Sequence, residues 1–141
     1  MKKCFVTILL LAVLVCPVLP RAAEACGKEA VTPPFGSALR HAILAPLRVH
    51  LRENLQVEAV FVVRWLKVKN GWAWIETDPQ SKDGKNRYEP FAALLKREGE
   101  AWAIVDIPAM EEDSPPVDGA YFKELMASHP GLLPEVFPWK P

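Results

Sequence analysis

The chain has 141 residues, half of them hydrophobic, and its 17 Lys and Arg balance 17 Asp and Glu. A chain without excess positive charge has no electrostatic grip on a phosphate backbone, which excludes a basic-patch nucleic-acid binder. The length suits one domain with a real core.

The first 25 residues have the pattern of a secretory signal. Lys2 and Lys3 give a basic start, 5–15 is an apolar run broken only by Thr7, and Ala23-Glu-Ala25 is a small-x-small cleavage site. The run is too short to span a bilayer, so no transmembrane span is expected. Removing 1–25 leaves 14 basic and 16 acidic residues, a net charge of about −2. It also removes Cys4 and Cys16, leaving Cys26 without an internal disulfide partner. Cys26 sits at the cleavage point, where a lipoprotein precursor would carry its acylated cysteine. The preceding Ala23-Glu-Ala25 departs from the Leu-x-Gly/Ala pattern of such precursors. The expectation is a soluble exported protein, periplasmic or secreted, with lipid anchoring at Cys26 as the less favoured alternative.

Residues 26–36 read as a tether containing Pro33-Pro34, ahead of a single domain over 37–141. Ser37 can cap a helix that runs to about Asn54. Leu39, Ile43, Leu47 and Leu51 recur every four residues as its apolar stripe. Pro46 lies inside this segment and predicts a kink or a restart there. About 17 helical residues at ~1.5 Å match the length of an eight-residue strand at ~3.3 Å, so one helix can lie across a sheet.

Four strands follow. Residues 57–69 are rich in β-branched and aromatic types, and Asn70-Gly71 is a strong hairpin signal because both residues take positive φ cheaply. The chain returns over 72–77 and crosses a polar loop over 78–87. It then forms a third strand over 88–98, with Pro90 marking a bulge or late start. Gly99-Glu100 turns into a fourth strand over 101–107. Trp72 and Trp74 share one face against Ala73 and Ile75; Trp102 and Ile104 share one against Ala103 and Val105. Phe61, Val63 and Trp65 oppose Val60, Val62 and Leu66. A sheet with one wet face alternates apolar with polar. Here strands one and four are apolar on both faces, so one face should meet the helix and the other must be covered by terminal segments or by a second molecule.

After an acidic, Pro-rich loop, Asp118 or Gly119 leads into a short helix over 120–128 with Tyr121, Leu125 and Phe122 on its apolar side. His129-Pro130-Gly131 stops it. The tail, with Leu133, Val136, Phe137 and Trp139, is too apolar to remain in water and should run extended over the sheet or the helix edge. The fold class is therefore α+β: one N-terminal helix on a four-stranded antiparallel meander, a short C-terminal helix and an extended apolar tail.

Chemical motifs are sparse. There is no Gly-x-Ser-x-Gly, His-Glu-x-x-His or phosphate-cradling glycine loop. His41 and His50 stand nine residues apart, on opposite sides of one helix, so they cannot share a metal. His129 reads as helix punctuation. A calcium loop around Asp83-Gly84 would place prolines, Pro79 and Pro90, at its first and last ligand positions. No cofactor, metal or catalytic set is expected. The tryptophans are the richest feature. Trp72, Trp74 and Trp102 could form an aromatic platform for sugar rings or a peptide, although filling the space between sheet and helix is the commoner use of such residues. Arg64 and Lys67 are candidates for an interaction edge.

Several motifs occur in order at hairpin spacing: Gly36-x-x-x-Arg40-x-x-Ile43-Leu44 with Leu47-Arg48, then Val60-Phe-Val-Val63. Gly71-Trp-Ala-Trp74 with Pro79-Gln80, Ala93-Leu-Leu-Lys96 and Trp102-x-Ile-Val105 follow. Together they cover 36–106, and this pattern resembles an uncharacterised family of small secreted bacterial proteins. The resemblance implies a helix-then-meander order similar to cystatin-like and nuclear-transport-factor-like folds. A single helix before the sheet favours the cystatin-like form. It implies no activity.

The leading functional expectation is a non-enzymatic periplasmic or secreted interaction module. It would meet a second copy or an envelope protein through the sheet face away from the helix. The alternative is a binder of a sugar, peptidoglycan fragment or lipid, or a minor hydrolase, with a pocket between helix and sheet. Glu76, Tyr88 and Asp106 are the polar residues available to line such a pocket.

Overall fold

The structure, a computed structural model, describes residues 29–109 and 113–139. The expected signal over 1–25 and Cys26 lie outside the described residues. The first long element is helix α1, Ala38–Leu55. Ser37 caps it, its hydroxyl accepting from the Arg40 N–H at 3.3 Å. Gln56 closes it in the left-handed region, φ 57°, and donates to the Leu51 carbonyl. Pro46 does not divide the helix: α1 is continuous, with Ile43 and Leu44 before the proline and Leu47 and Leu51 after it all buried. Packing on both sides of the proline holds a turn that local propensity alone would weaken.

The sheet is a meander in the order β1 (Val60–Lys69), β2 (Trp72–Gln80), β3 (Phe91–Glu98) and β4 (Ala101–Asp106), all antiparallel. Asn70 and Gly71 both have positive φ, 50° and 73°, so the first hairpin closes as its sequence predicts. β1 and β3 each start three residues later than expected. Val57 is held instead in the turn after α1, its N–H donating to the Leu51 carbonyl. β3 begins only after Pro90, the late start foreseen for it. β2 runs longer than expected and contains Pro79. The Pro79 carbonyl accepts from the Tyr88 N–H at 2.9 Å. A strand residue's N–H and C=O point the same way, so the absent proline N–H faces the 81–90 loop, beyond the end of β3, and no ladder bond is lost.

A register shift at Arg64 rearranges β1. Before it, Phe61 and Val63 pack with the α1 core; after it, Leu66 and Val68 do. The extra residue of this bulge moves Trp65 to the opposite face. Trp65 therefore does not share a face with Phe61 and Val63, as unbroken alternation predicts.

Each sheet face carries its own core. On one face α1 packs Ile43, Leu44 and Leu47 against Leu66, Ala73, Ile75, Ala93, Leu95 and Trp102. On the other, Trp72, Trp74, Ala92 and Leu94 are covered by helix α2, Gly119–Ser128, and by the tail. α2 supplies Phe122 and Leu125; the tail supplies Leu132, Val136 and Phe137. Asp118 caps α2, its carboxylate accepting from the Ala120 and Tyr121 N–H groups. The tail is not fully extended. A short 3-10 turn, Pro134–Val136, brings the Val136 carbonyl to 2.8 Å from Trp65 Nε1. Lys69 and Glu135 form an ion pair beside it.

This arrangement narrows one expectation and corrects another. The sheet face away from α1 is covered over Trp72, Trp74, Ala92 and Leu94 by the chain's own C-terminal segments, while Val60 and Val62 of β1 and Val105 of β4 stay exposed. The bulky indoles of β2 point away from α1, towards α2. The N-terminal segment is also engaged: Val31 pairs with Val68 at the β1 edge through two backbone bonds of 2.8 and 2.9 Å, and Pro33 is buried.

The Tyr121 hydroxyl donates to the Asp106 carboxylate, joining α2 to the end of β4. Burial, then the hydrogen bond and charge of Asp106, push the tyrosine's pKa well above its ordinary 10.0. A raised folded-state pKa means that this contribution is complete below pH 10 and is lost as pH climbs towards the folded value. Stability should therefore fall above about pH 10. Tyr121→Phe should flatten that fall, as read from urea unfolding at pH 8 and pH 10.5. An alkaline limb unchanged in the variant would count against this role.

Candidate functional site

The aromatic platform is not assembled. Trp72 and Trp74 lie in the α2 core, and Trp102 lies in the α1 core, opposite Arg97 in the β3–β4 register. Trp74 is fully enclosed, with Phe122 and Phe137 meeting it edge-on at 5.3 and 5.4 Å between ring centroids. Trp72 lies under the Lys96 ammonium, 5.2 Å from its ring centre, and beside His129. All three indoles have less than a tenth of their surface exposed, so none offers a face to a sugar ring. Arg64 pairs with Asp78 at 3.1 Å, across to β2. Lys67 lies 5.9 Å from the centre of the Trp65 ring and lines a depression of about 600 Å³ with Glu29, Pro134 and Phe137.

Two of the three polar residues considered for a pocket have structural partners. Glu76 accepts from Trp74 Nε1 at 3.3 Å, and Asp106 accepts from Tyr121. Tyr88 is different: it lines a half-open groove of about 990 Å³ at the end of the layer between α1 and the sheet.

Four pieces of chain build this groove. The last turns of α1 supply His50, Leu51 and Leu55; the end of β2 supplies Pro79; the entry to β3 supplies 87–91; the exit from β4 supplies 107–109. The Tyr88 N–H bond to Pro79 and the Gln80–Arg87 bridge hold the loop against the end of β2. Leu51 and Pro79 are buried and Phe91 and Ile107 half-buried, so the floor is carbon. Arg87, Tyr88 and Glu89 are the polar residues besides His50, and Arg87 and Glu89 are exposed. Among the described residues the Arg87 guanidinium has no hydrogen-bond or ion-pair partner. His50 Nδ1 lies 3.1 Å from the Asn54 amide nitrogen. If that amide donates, the remaining ring proton is on Nε2.

Family models, curated proteins and solved structures provide no match to this chain. No family assignment follows, and the site is interpreted from its own geometry. Among the described residues no three His, Cys, Asp or Glu gather as a metal site, and no helix is long and apolar enough to cross a membrane. Arg87 and His50 were absent from the residues that the sequence singled out as a binding surface. Arg87 belongs to a polar loop without periodicity, and His50 is an ordinary position on a helix. The prolines around them, Pro79 and Pro90, were the available signal that the chain departs from the sheet there.

Proposed function

We propose that this chain is an exported, non-enzymatic binding domain whose ligand occupies the groove between the end of α1 and the start of β3. The observation that carries this reading is the combination of a carbon floor with rim polar groups that have no partner among the described residues, the usual composition of a small-molecule site. Export is supported by the basic start, apolar run and small-residue cleavage pattern of 1–25. The competing interaction-module reading has less apolar surface to rest on, because α2 and the tail cover Trp72, Trp74, Ala92 and Leu94 and leave Val60, Val62 and Val105 exposed on the outer strands.

The test is a thermal-shift screen of the full chain with sugars, peptidoglycan fragments and lipids. At a hundredfold excess over Kd a single-site ligand adds ~2.7 kcal/mol, a rise of several degrees. Leu55→Glu should abolish the rise without changing the unliganded melting temperature, because Leu55 is exposed at the groove. A shift that survives Leu55→Glu, or no shift with any class, would defeat the proposal.

A further inference from the structure

Building on the binding reading, we infer that the groove takes a single-chain aliphatic carboxylate, a fatty acid, with its carboxylate at Arg87 and its chain on Leu51, Phe91 and Ile107. The floor carries the first half of the argument. A sugar or a peptide backbone laid on Leu51, Pro79 and Phe91 would surrender its hydrogen bonds with water to side chains that cannot replace them. An alkyl chain surrenders nothing and gains the burial of its own surface.

The rim carries the second half. Arg87 is always protonated, presents a planar fork of donors and has no partner among the described residues. Such a fork matches one carboxylate in two parallel hydrogen bonds. Glu89 also lines the groove but forms no ion pair with Arg87, so no described residue neutralises the guanidinium by contact. Its negative charge opposes a second anionic group. One guanidinium with one carboxylate two residues along the same loop suits a monoanionic headgroup better than a phosphate dianion. His50 and Tyr88 also line the groove.

The experiment is isothermal titration of the full chain with decanoate below its micelle concentration. Methyl decanoate, decylamine and a short apolar peptide with a free C-terminus are titrated in parallel. Decanoate should bind one to one and the other three more weakly. Arg87→Gln should weaken decanoate roughly tenfold to a hundredfold, the range for losing a charge-assisted hydrogen bond, and leave the unliganded melting temperature unchanged. Equal binding by the ester or the amine, stronger binding by the peptide, or an affinity that Arg87→Gln does not change would overturn the assignment. A sugar or peptidoglycan fragment that binds in a Leu55-dependent way while decanoate does not would overturn it and leave the groove reading intact. Silence from every ligand would overturn both.

Discussion

Trp74→Ala is expected to lower stability by about 3–5 kcal/mol, the range for removing a large aromatic side chain from a packed core. Trp74 has no solvent-exposed surface, and Tyr121, Phe122 and Phe137 all meet its ring edge-on. These partners belong to α2 and the tail and cannot collapse into the vacated space without leaving their own positions. The change also removes the indole donor to Glu76. A loss of this size is a large part of the ~5–15 kcal/mol that holds a typical domain together. Urea unfolding followed by circular dichroism measures it. Trp139→Ala is the control, because Trp139 is 55% exposed and should cost under ~1 kcal/mol. Equal effects from the two substitutions would contradict the packing described for the second face.

Ending the chain after Ser128 is expected to abolish cooperative unfolding altogether. The cut removes Leu132, Val136 and Phe137, all buried. At roughly 1.5–3 kcal/mol for each apolar side chain returned to water, the loss approaches or exceeds the stability of an ordinary domain. It also removes the carbonyl that Trp65 Nε1 uses and the carboxylate paired with Lys69. The remaining sheet would bare Trp65 and the side of Trp74 that faces Phe137, an apolar patch that favours association. Analytical ultracentrifugation and a thermal melt of the truncated chain report both effects. A monomer with an undiminished melting transition would show that the tail is dispensable.

Much of the architecture is legible in local residue chemistry. Asn70-Gly71 specifies its turn because two consecutive positive φ values suit few other pairs. Ser37 and Asp118 mark helix starts because their oxygens can accept the first free N–H groups. The doubly apolar strands called for cover on both faces; each face carries a core, but Val60 and Val62 of β1 and Val105 of β4 remain exposed. What local chemistry does not contain is the side of the sheet on which α1 lies. Alternation separates Trp72 and Trp74 from Ala73 and Ile75 but assigns neither pair to a neighbour. Small Ala73 and compact Ile75 lie under α1, and the indoles take the deeper space beneath α2 and the tail. The bulge at Arg64 is a second silent feature, since one inserted residue reverses the parity of everything after it. The groove was the least legible feature. It arises where α1, the end of β2, the β3 entry and the β4 exit meet, and a meeting of four distant segments has no periodic signature.

The bond between Trp65 and the Val136 carbonyl joins positions 71 residues apart, and this separation has a consequence for biosynthesis. The helix and meander are complete by Asp106, so they can form while the residues of α2 and the tail are still being made. Throughout that interval three indoles remain bare on a nascent surface. Synthesis at about 5–20 residues per second is far slower than hairpin formation in ~1–10 μs, so the rate of synthesis sets the length of that interval. The most hazardous moment in the life of this protein is therefore the delay between emergence of β4 and arrival of Phe137.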